Sequence, residues 1–116
     1  IRKKLIYGNL DSTRTVIDVR DIVESYWISA NKCDFGEEYN IGGNNIITVG
    51  EFLDMLISHS TVKIEKEQDL QLLRPVDVTM QIPDTTKFYE KTKWKPKYTL
   101  DDSVNFLLNY FRKSVL

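Results

Sequence analysis

The stretch from Leu73 to Arg112, LRPVDVTMQIPDTTKFYEKTKWKPKYTLDDSVNFLLNYFR, holds all three prolines of the chain and so limits what can form around them. Pro75 fixes φ directly after Arg74 and biases that arginine toward an extended backbone. Such a residue aims a guanidinium out of an irregular segment, which marks Arg74 as a candidate for burial. Asp84, just past Pro83, is placed to cap a short helix ending near Thr92, and Trp94-Lys95-Pro96 stops that helix. Thr99 then caps a second helix with Asp102 at its third position. Val104, Leu107, Leu108 and Phe111 form its expected buried stripe, with Phe106 and Tyr110 on the flank. The expectation is an arginine-bearing loop followed by two helices.

Upstream, Leu5 to Tyr7 reads as a short strand, Gly8-Asn9-Leu10-Asp11-Ser12 as a turn, and Thr15-Val16-Ile17 as a return strand. From Asp18 to Ala30 the apolar residues Val19, Ile22, Val23, Tyr26, Trp27 and Ala30 share one helical face. Asp18 is its expected N-cap, and Asp21 complements the dipole in its first turn. Glu38-Tyr39-Asn40-Ile41 alternates as a strand ending in Gly42-Gly43, a pair that permits close backbone approach or positive φ. Thr48-Val49-Gly50-Glu51 is a capping box opening a helix with Val49, Phe52, Leu53, Leu56 and Ile57 on one face. That helix ends near His59, which has no partner within reach by sequence and reads as a surface residue. Val62 and Ile64 alternate with Lys63 and Glu65 as an edge strand, and Glu65 to Asp69 reads as solvated surface.

With 116 residues the chain is one domain at most. Its 16 basic and 17 acidic side chains are interspersed, so there is no electrostatic footprint for nucleic acid. No apolar run approaches the ~20 residues of a membrane helix, and the expected location is cytoplasmic. The single cysteine, Cys33, has no disulfide partner and no Cys/His neighbours at metal spacing. A chain that opens on Ile1 is expected to be an excerpt of a longer polypeptide.

For chemistry, a guanidinium fork matches phosphate or carboxylate oxygens in pairs, which makes Arg14 and Arg74 the candidates for an anion. For Arg14 a solvated arginine beside a turn is the equal alternative. Gly42-Gly43 lacks the G-x-G-x-x-G pattern of a dinucleotide loop. Tyr89 and Lys93 stand four apart, the spacing of a catalytic pair in short-chain dehydrogenases. Their place between Pro83 and Pro96 reads instead as packing for Tyr89 and a solvated last-turn cation for Lys93.

Several short motifs occur in order: Gly8-Asn9-Leu10-Asp11-x-x-Arg14, Asp18-Val19-Arg20-Asp21, Gly36 to Gly43, Arg74-Pro75-x-Asp77, Asp84-x-x-Lys87 and Trp94-Lys95-Pro96. In this arrangement the chain resembles the end of extended short-chain dehydrogenases acting on nucleotide sugars, in the branch of GDP-mannose 4,6-dehydratase and GDP-4-keto-6-deoxymannose reductase. The resemblance implies an α/β fold, the C-terminal substrate-binding portion of an extended Rossmann-type enzyme, with small mixed strands and about four helices. Residues 1–116 would be that portion, with residues about 14–43 completing the sheet of the cofactor domain. The N-terminal NAD(P)-binding Rossmann domain, its glycine-rich loop and the catalytic tyrosine and lysine would lie outside, so NAD(P) would bind mainly elsewhere and the isolated chain would be inactive.

The resemblance further implies a nucleotide-diphosphate sugar as ligand, GDP-mannose first, and a homo-oligomer. On that basis Arg14, Arg74, Asp77, Asn9 and Asn40 are the substrate-binding candidates. Asp77 either accepts from a ribose or base donor or orients Arg74, the second being preferred. The reaction implied for the whole enzyme is that of a nucleotide-sugar 4,6-dehydratase, a lyase. The alternatives are the 4-keto-6-deoxy sugar reductase or another nucleotide-sugar epimerase/dehydratase, and a non-catalytic α/β interaction module in which Arg74 is structural. With the rest of such an enzyme missing, the apolar face of the Asp18 to Ala30 helix is expected to stand uncovered.

Overall fold

Three of the four described helices start where their expected capping residues stand. A computed structural model describes residues 4–115 and contains α1 (Val19–Lys32), α2 (Val49–Ser58), α3 (Thr86–Thr92) and α4 (Leu100–Val115). Asp18 caps α1 by accepting the Arg20 N–H at 2.8 Å. Thr48 and Glu51 form the reciprocal capping box of α2, and Thr99 and Asp102 do the same for α4 at 3.0 and 3.1 Å. For α3 the N-cap position shifts from Asp84 to Thr85, which makes no side-chain cap bond. Asp84 still serves that helix start, because its Oδ1 accepts the Thr86 N–H at 3.0 Å. Lys93 is a C-terminal cap in the left-handed region (φ 58°), not a last-turn cation, and its N–H reaches Tyr89 O at 2.7 Å.

Strand pairing departs further from expectation. The strands are β1 (Lys4–Tyr7), β2 (Thr13–Val16), β3 (Asn45–Thr48), β4 (Glu65–Gln68) and β5 (Met80–Gln81). β1 pairs in parallel with β4, Lys4 opposite Glu65 and Tyr7 opposite Gln68. A second sheet has the order β3-β2-β5, with β2 antiparallel to β3 and parallel to β5. β2 is therefore not a return strand on β1. The first turn of α2 recruits the intervening turn, Val49 N–H bonding Ser12 O at 3.0 Å and Gly50 N–H bonding Leu10 O at 2.9 Å. Helix-start donors have no intrahelical partners, and here they draw the chain toward β3, which leads directly into α2.

Two further strand expectations are corrected. The strand expected at Val62 to Glu65 lies instead at Glu65–Gln68, in the run read as solvated surface. It is exposed throughout, but Glu67 pairs across the sheet with Lys4, and Lys66 donates to Asp54 at 2.6 Å. Glu38 to Ile41 forms no strand, since no described strand lies beside it. Instead Lys87 Nζ donates to the Glu38 carbonyl at 2.8 Å and to Glu37 Oε2 at 2.6 Å. The Gly42-Gly43 pair is used for close approach: a Cβ on Gly43 would collide with the Val16 carbonyl, and one on Gly42 with Pro83.

Among the described apolar residues only Phe88 and Val104 are fully buried; of the stripe expected on α4, Leu108 is half-buried and Leu107 and Phe111 are exposed. Phe88 meets Tyr39 and Trp94 edge-on, with ring centroids at 6.1 and 5.7 Å. α1 is inverted relative to the usual amphipathic helix. Its buried residues are Asp21 and Ser25, while Val19, Val23, Tyr26 and Trp27 on the opposite side are 62–73% exposed. Asp21 does more than complement a dipole: its two oxygens accept the backbone N–H groups of Lys97 and Tyr98, each at 3.1 Å, tying α1 to the segment before α4. Beside it, Asp18 takes two bonds from Arg20 and one from Ser103 at 2.6 Å, and Arg20 lies between the Tyr98 and Phe106 rings. His59 also has a partner that sequence could not supply, its Nε2 lying 3.0 Å from Asp101 Oδ1 across α2 and α4. No described helix is long and apolar enough to cross a membrane.

Candidate functional site

The turn after β1, the start of β2, the start of α2 and the loop after the 3-10 turn Leu70–Leu72 converge on one cleft of about 340 Å³. Its lining includes Asn9, Arg14, Arg74 and Asp77. These residues come from two segments 60 or more positions apart, and backbone bonds bring them together. Thr13 N–H donates to Thr79 O at 2.8 Å, which lays the Asp77 loop along β2. Asp69 N–H donates to Tyr7 O at 2.8 Å, which holds the Leu70–Leu72 turn against the end of β1. Gly8 permits that approach: a Cβ there would lie 2.9 Å from Leu72 Cβ, too close for any side chain.

Within the cleft Asn9 is the hub. Its Nδ2 donates to Asp77 Oδ2 at 2.9 Å and to Ser12 Oγ at 2.8 Å, and its Oδ1 accepts the Asp11 N–H at 2.8 Å. Asp77 Oδ1 accepts the Val78 N–H at 2.9 Å and stands 3.7 Å from Arg14 Nη2. The Asn9 amide, more than any other group, holds the Asp77 carboxyl below its ordinary range, and the Val78 N–H, Arg14 and Arg74 add to the effect. Asp77 is therefore an anion near neutral pH. Its ion pair is with Arg14, not with Arg74 as expected. Arg14 Nη1 also donates to Thr13 O at 2.9 Å, so this guanidinium is fixed from two sides.

Arg74 is exposed, contrary to its reading as a candidate for burial, because the loop on which Pro75 places it is solvent-facing throughout. It lines the cleft without a carboxylate at ion-pair distance among the described residues. Two arginines and one carboxylate leave the cleft with an excess positive charge at its mouth, suited to an anion with several oxygens. Asn40 stands outside this group, exposed in the loop between α1 and β3. Sequence reasoning did not anticipate Ser12, Val49 and Leu72 in the lining. The turn composition around Asn9 was the one available signal for Ser12, whereas Val49 and Leu72 carry no polar mark.

The paired glycines Gly42 and Gly43 are in close contact with Pro83 and the Val16 carbonyl, so their lack of side chains serves packing. No group of three potential metal ligands occurs among the described residues.

Residues 1–106 match the family described as GDP-mannose 4,6 dehydratase. Among curated relatives, a GDP-6-deoxy-D-mannose reductase of Pseudomonas aeruginosa is 23% identical over 97% of this chain and 37% of its own length. A human GDP-mannose 4,6 dehydratase is 26% identical over 88% of this chain and 32% of its own. The chain thus spans about a third of the relatives it matches. In structure it is similar to RMD from Pseudomonas aeruginosa, solved with NADPH, at a TM-score of 0.87 and 22% identity over 97% of this chain and 37% of that one. It is also similar to a UDP-glucose 4-epimerase from Thermotoga maritima, solved with UDP-glucose, at a TM-score of 0.75 and 26% identity over 99% of this chain and 36% of that one. The mixed α/β fold with four helices corresponds to part of these Rossmann-type enzymes, several of which were solved with NADPH or NAD, and the chain belongs to the GDP-mannose 4,6-dehydratase family.

Proposed function

We propose that this chain is the nucleotide-sugar-binding portion of an NAD(P)-dependent enzyme resembling GDP-mannose 4,6-dehydratase, and that the cofactor and the catalytic residues belong to the rest of that enzyme. The observation that carries the reading is the convergence of Asn9, Arg14, Arg74 and Asp77 on one cleft. Arg14, held by Asp77 and Thr13, is a pre-oriented fork for one phosphate, and Arg74 at the open side takes the second. A carboxylate has about four acceptor positions, of which Asn9 and Val78 occupy two, with Arg14 alongside at 3.7 Å, so Asp77 retains capacity for a ribose hydroxyl. Asn40, outside the cleft, has no part in this reading. The similarity to a GDP-6-deoxy-D-mannose reductase favours reduction of a 4-keto-6-deoxy sugar as the second reading, since that enzyme would use the same ligand class.

The test is calorimetric titration of the full-length enzyme with GDP, UDP, CDP and dTDP, repeated with Arg74→Ala. A charge-assisted bond of ~1.5 to 3 kcal/mol predicts a loss of about tenfold or more in affinity for the preferred nucleotide. If none of the four nucleotides binds, the nucleotide-sugar reading fails and an interaction module takes its place. Preference for GDP over UDP supports the mannose branch; the reverse points to another member of the wider group.

A further inference from the structure

Three hydroxyl groups are buried among the described residues, those of Ser12, Ser25 and Thr92, each 5% exposed or less. Ser25 Oγ donates to the Ile22 carbonyl at 2.6 Å, and Thr92 Oγ1 donates to the Phe88 carbonyl at 2.8 Å. Both return their proton to the preceding helical turn. Ser12 does not. Among the described residues its side chain bonds only to Asn9, and the groups on either side of the Asn9 amide fix the direction of that bond.

Asn9 Oδ1 faces the Asp11 N–H at 2.8 Å, a group that only donates, and Asn9 Nδ2 faces the Asp77 carboxylate at 2.9 Å, a group that only accepts. Turning the amide over would set N–H against N–H and oxygen against oxygen. Nδ2 therefore spends one proton on Asp77 and the other on Ser12 Oγ at 2.8 Å. The serine oxygen is the acceptor in this contact, and its own proton has no acceptor among the described residues. A buried donor left unmet is costly and rare, so a partner from outside the chain is expected.

The cleft says which kind of partner. Ser12 lines it together with Arg14 and Arg74. The Ser12 carbonyl carries the pairing of β2 with β3 one residue further by accepting the Val49 N–H at 3.0 Å, so the backbone is extended there and residues two apart share a side. The unmet proton thus belongs to the wall that carries the Arg14 guanidinium, where anionic oxygens gather.

We propose that Ser12 is a further ligand-binding residue of this cleft, its hydroxyl donating to a phosphate oxygen of the bound nucleoside diphosphate, with Asn9 as the positioning residue that turns the proton that way. Both Asn9 protons are spent, so Asn9 donates nothing to the ligand itself. The inference rests on the nucleotide-sugar reading of the cleft and adds to it a neutral donor beside the two arginines.

The test is calorimetric titration of the full-length enzyme and of its Ser12→Ala variant. The ligands are whichever of GDP, UDP, CDP and dTDP the parent prefers, and the matching nucleoside, which has no phosphate. A bond to a charged oxygen predicts a loss of about tenfold in affinity for the diphosphate and none for the nucleoside. Equal affinity of variant and parent for the diphosphate overturns the proposal. So does an equal loss for both ligands, since Ser12 would then only shape the cleft. Because Ser12→Ala also strands an Asn9 proton and risks misfolding, the second measurement leaves the protein unaltered: a crystal structure of the parent with the diphosphate bound. A phosphate oxygen within about 3.2 Å of Ser12 Oγ is expected. A water or a protein acceptor in that place overturns the proposal. A parent that binds none of the four nucleotides ends the functional reading and this inference with it, whereas a parent that binds one and is indifferent to Ser12→Ala ends only this inference.

Discussion

Replacing Asp18 should be the most damaging single change to the packing of α1 on α4. The carboxylate is 6% exposed and carries out three tasks: it caps α1 through the Arg20 N–H, takes two side-chain bonds from Arg20, and accepts the Ser103 hydroxyl at 2.6 Å. Loss of the cap alone costs about 1 kcal/mol. Truncating one partner of a buried ion pair costs about 3 to 5 kcal/mol, and the partial exposure of Arg20 places this pair at the lower end. Asp18→Ala should therefore destabilise by about 3 kcal/mol, or ~12 °C in melting temperature for a chain of this size. Asp18→Asn keeps an oxygen for the cap but removes the charge, and about half that loss is expected.

The pH dependence distinguishes the charge from the shape. The Arg20 side chain above all, helped by Ser103 and the Arg20 N–H, holds the Asp18 carboxyl well below the usual carboxylate range, against the opposing effect of burial. A depressed folded-state pKa contributes stability that is complete above the unfolded value of about 3.9 and disappears as pH falls through the folded value. The gap between the parent and Asp18→Asn, measured by urea unfolding with circular dichroism, should be constant from pH 7 to about pH 5. It should narrow steadily below about pH 4. A gap of the same size at pH 7 and pH 2.5, or no gap at pH 7, would refute the assignment of the stabilisation to the ionised carboxylate.

Asp21→Ala removes a fully buried carboxylate and strands the Lys97 and Tyr98 N–H groups, and urea unfolding should register a loss of about 2 kcal/mol. Gly43→Ala forces a methyl onto the Val16 carbonyl and should lower the melting temperature more than Gly36→Ala, where no atom lies within 4 Å and the positive φ of 75° alone is strained. His59→Ala removes an exposed pair with Asp101, so a stability change below about 1 kcal/mol is expected by the same assay; a larger one would mean that the pair does more than bridge two helices. The uncovered face of α1 predicts that the isolated chain self-associates in a concentration-dependent way and binds a hydrophobic dye, checked by analytical ultracentrifugation and fluorescence. A strictly monomeric chain that leaves the dye dark counts against it.

Local signals determined a large part of this structure. The caps at Asp18, Thr48 and Thr99 are decided within one helical turn, since each satisfies donors a few residues away, and all three stand where their side chains predict. Arg14 and Arg74 could be named as anion candidates from their chemistry, whereas Asn9, Asp77 and Asn40 became candidates only through the resemblance. That Asn9, Arg14, Arg74 and Asp77 share a cleft, and that Asp77 pairs with Arg14 instead of its near neighbour Arg74, depended on the Leu70–Leu72 turn and β5 laying one loop along β2. Strand pairing was likewise a tertiary decision. β1 and β2 are adjacent in sequence but belong to different sheets, because backbone pairing is indifferent to sequence distance and the start of α2 claimed the turn between them. The orientation of α1 is the sharpest case. Periodicity shows that it has an apolar face, but only the pull of Asp18 and Asp21 on the α4 segment decides that this face points away from the rest of the chain.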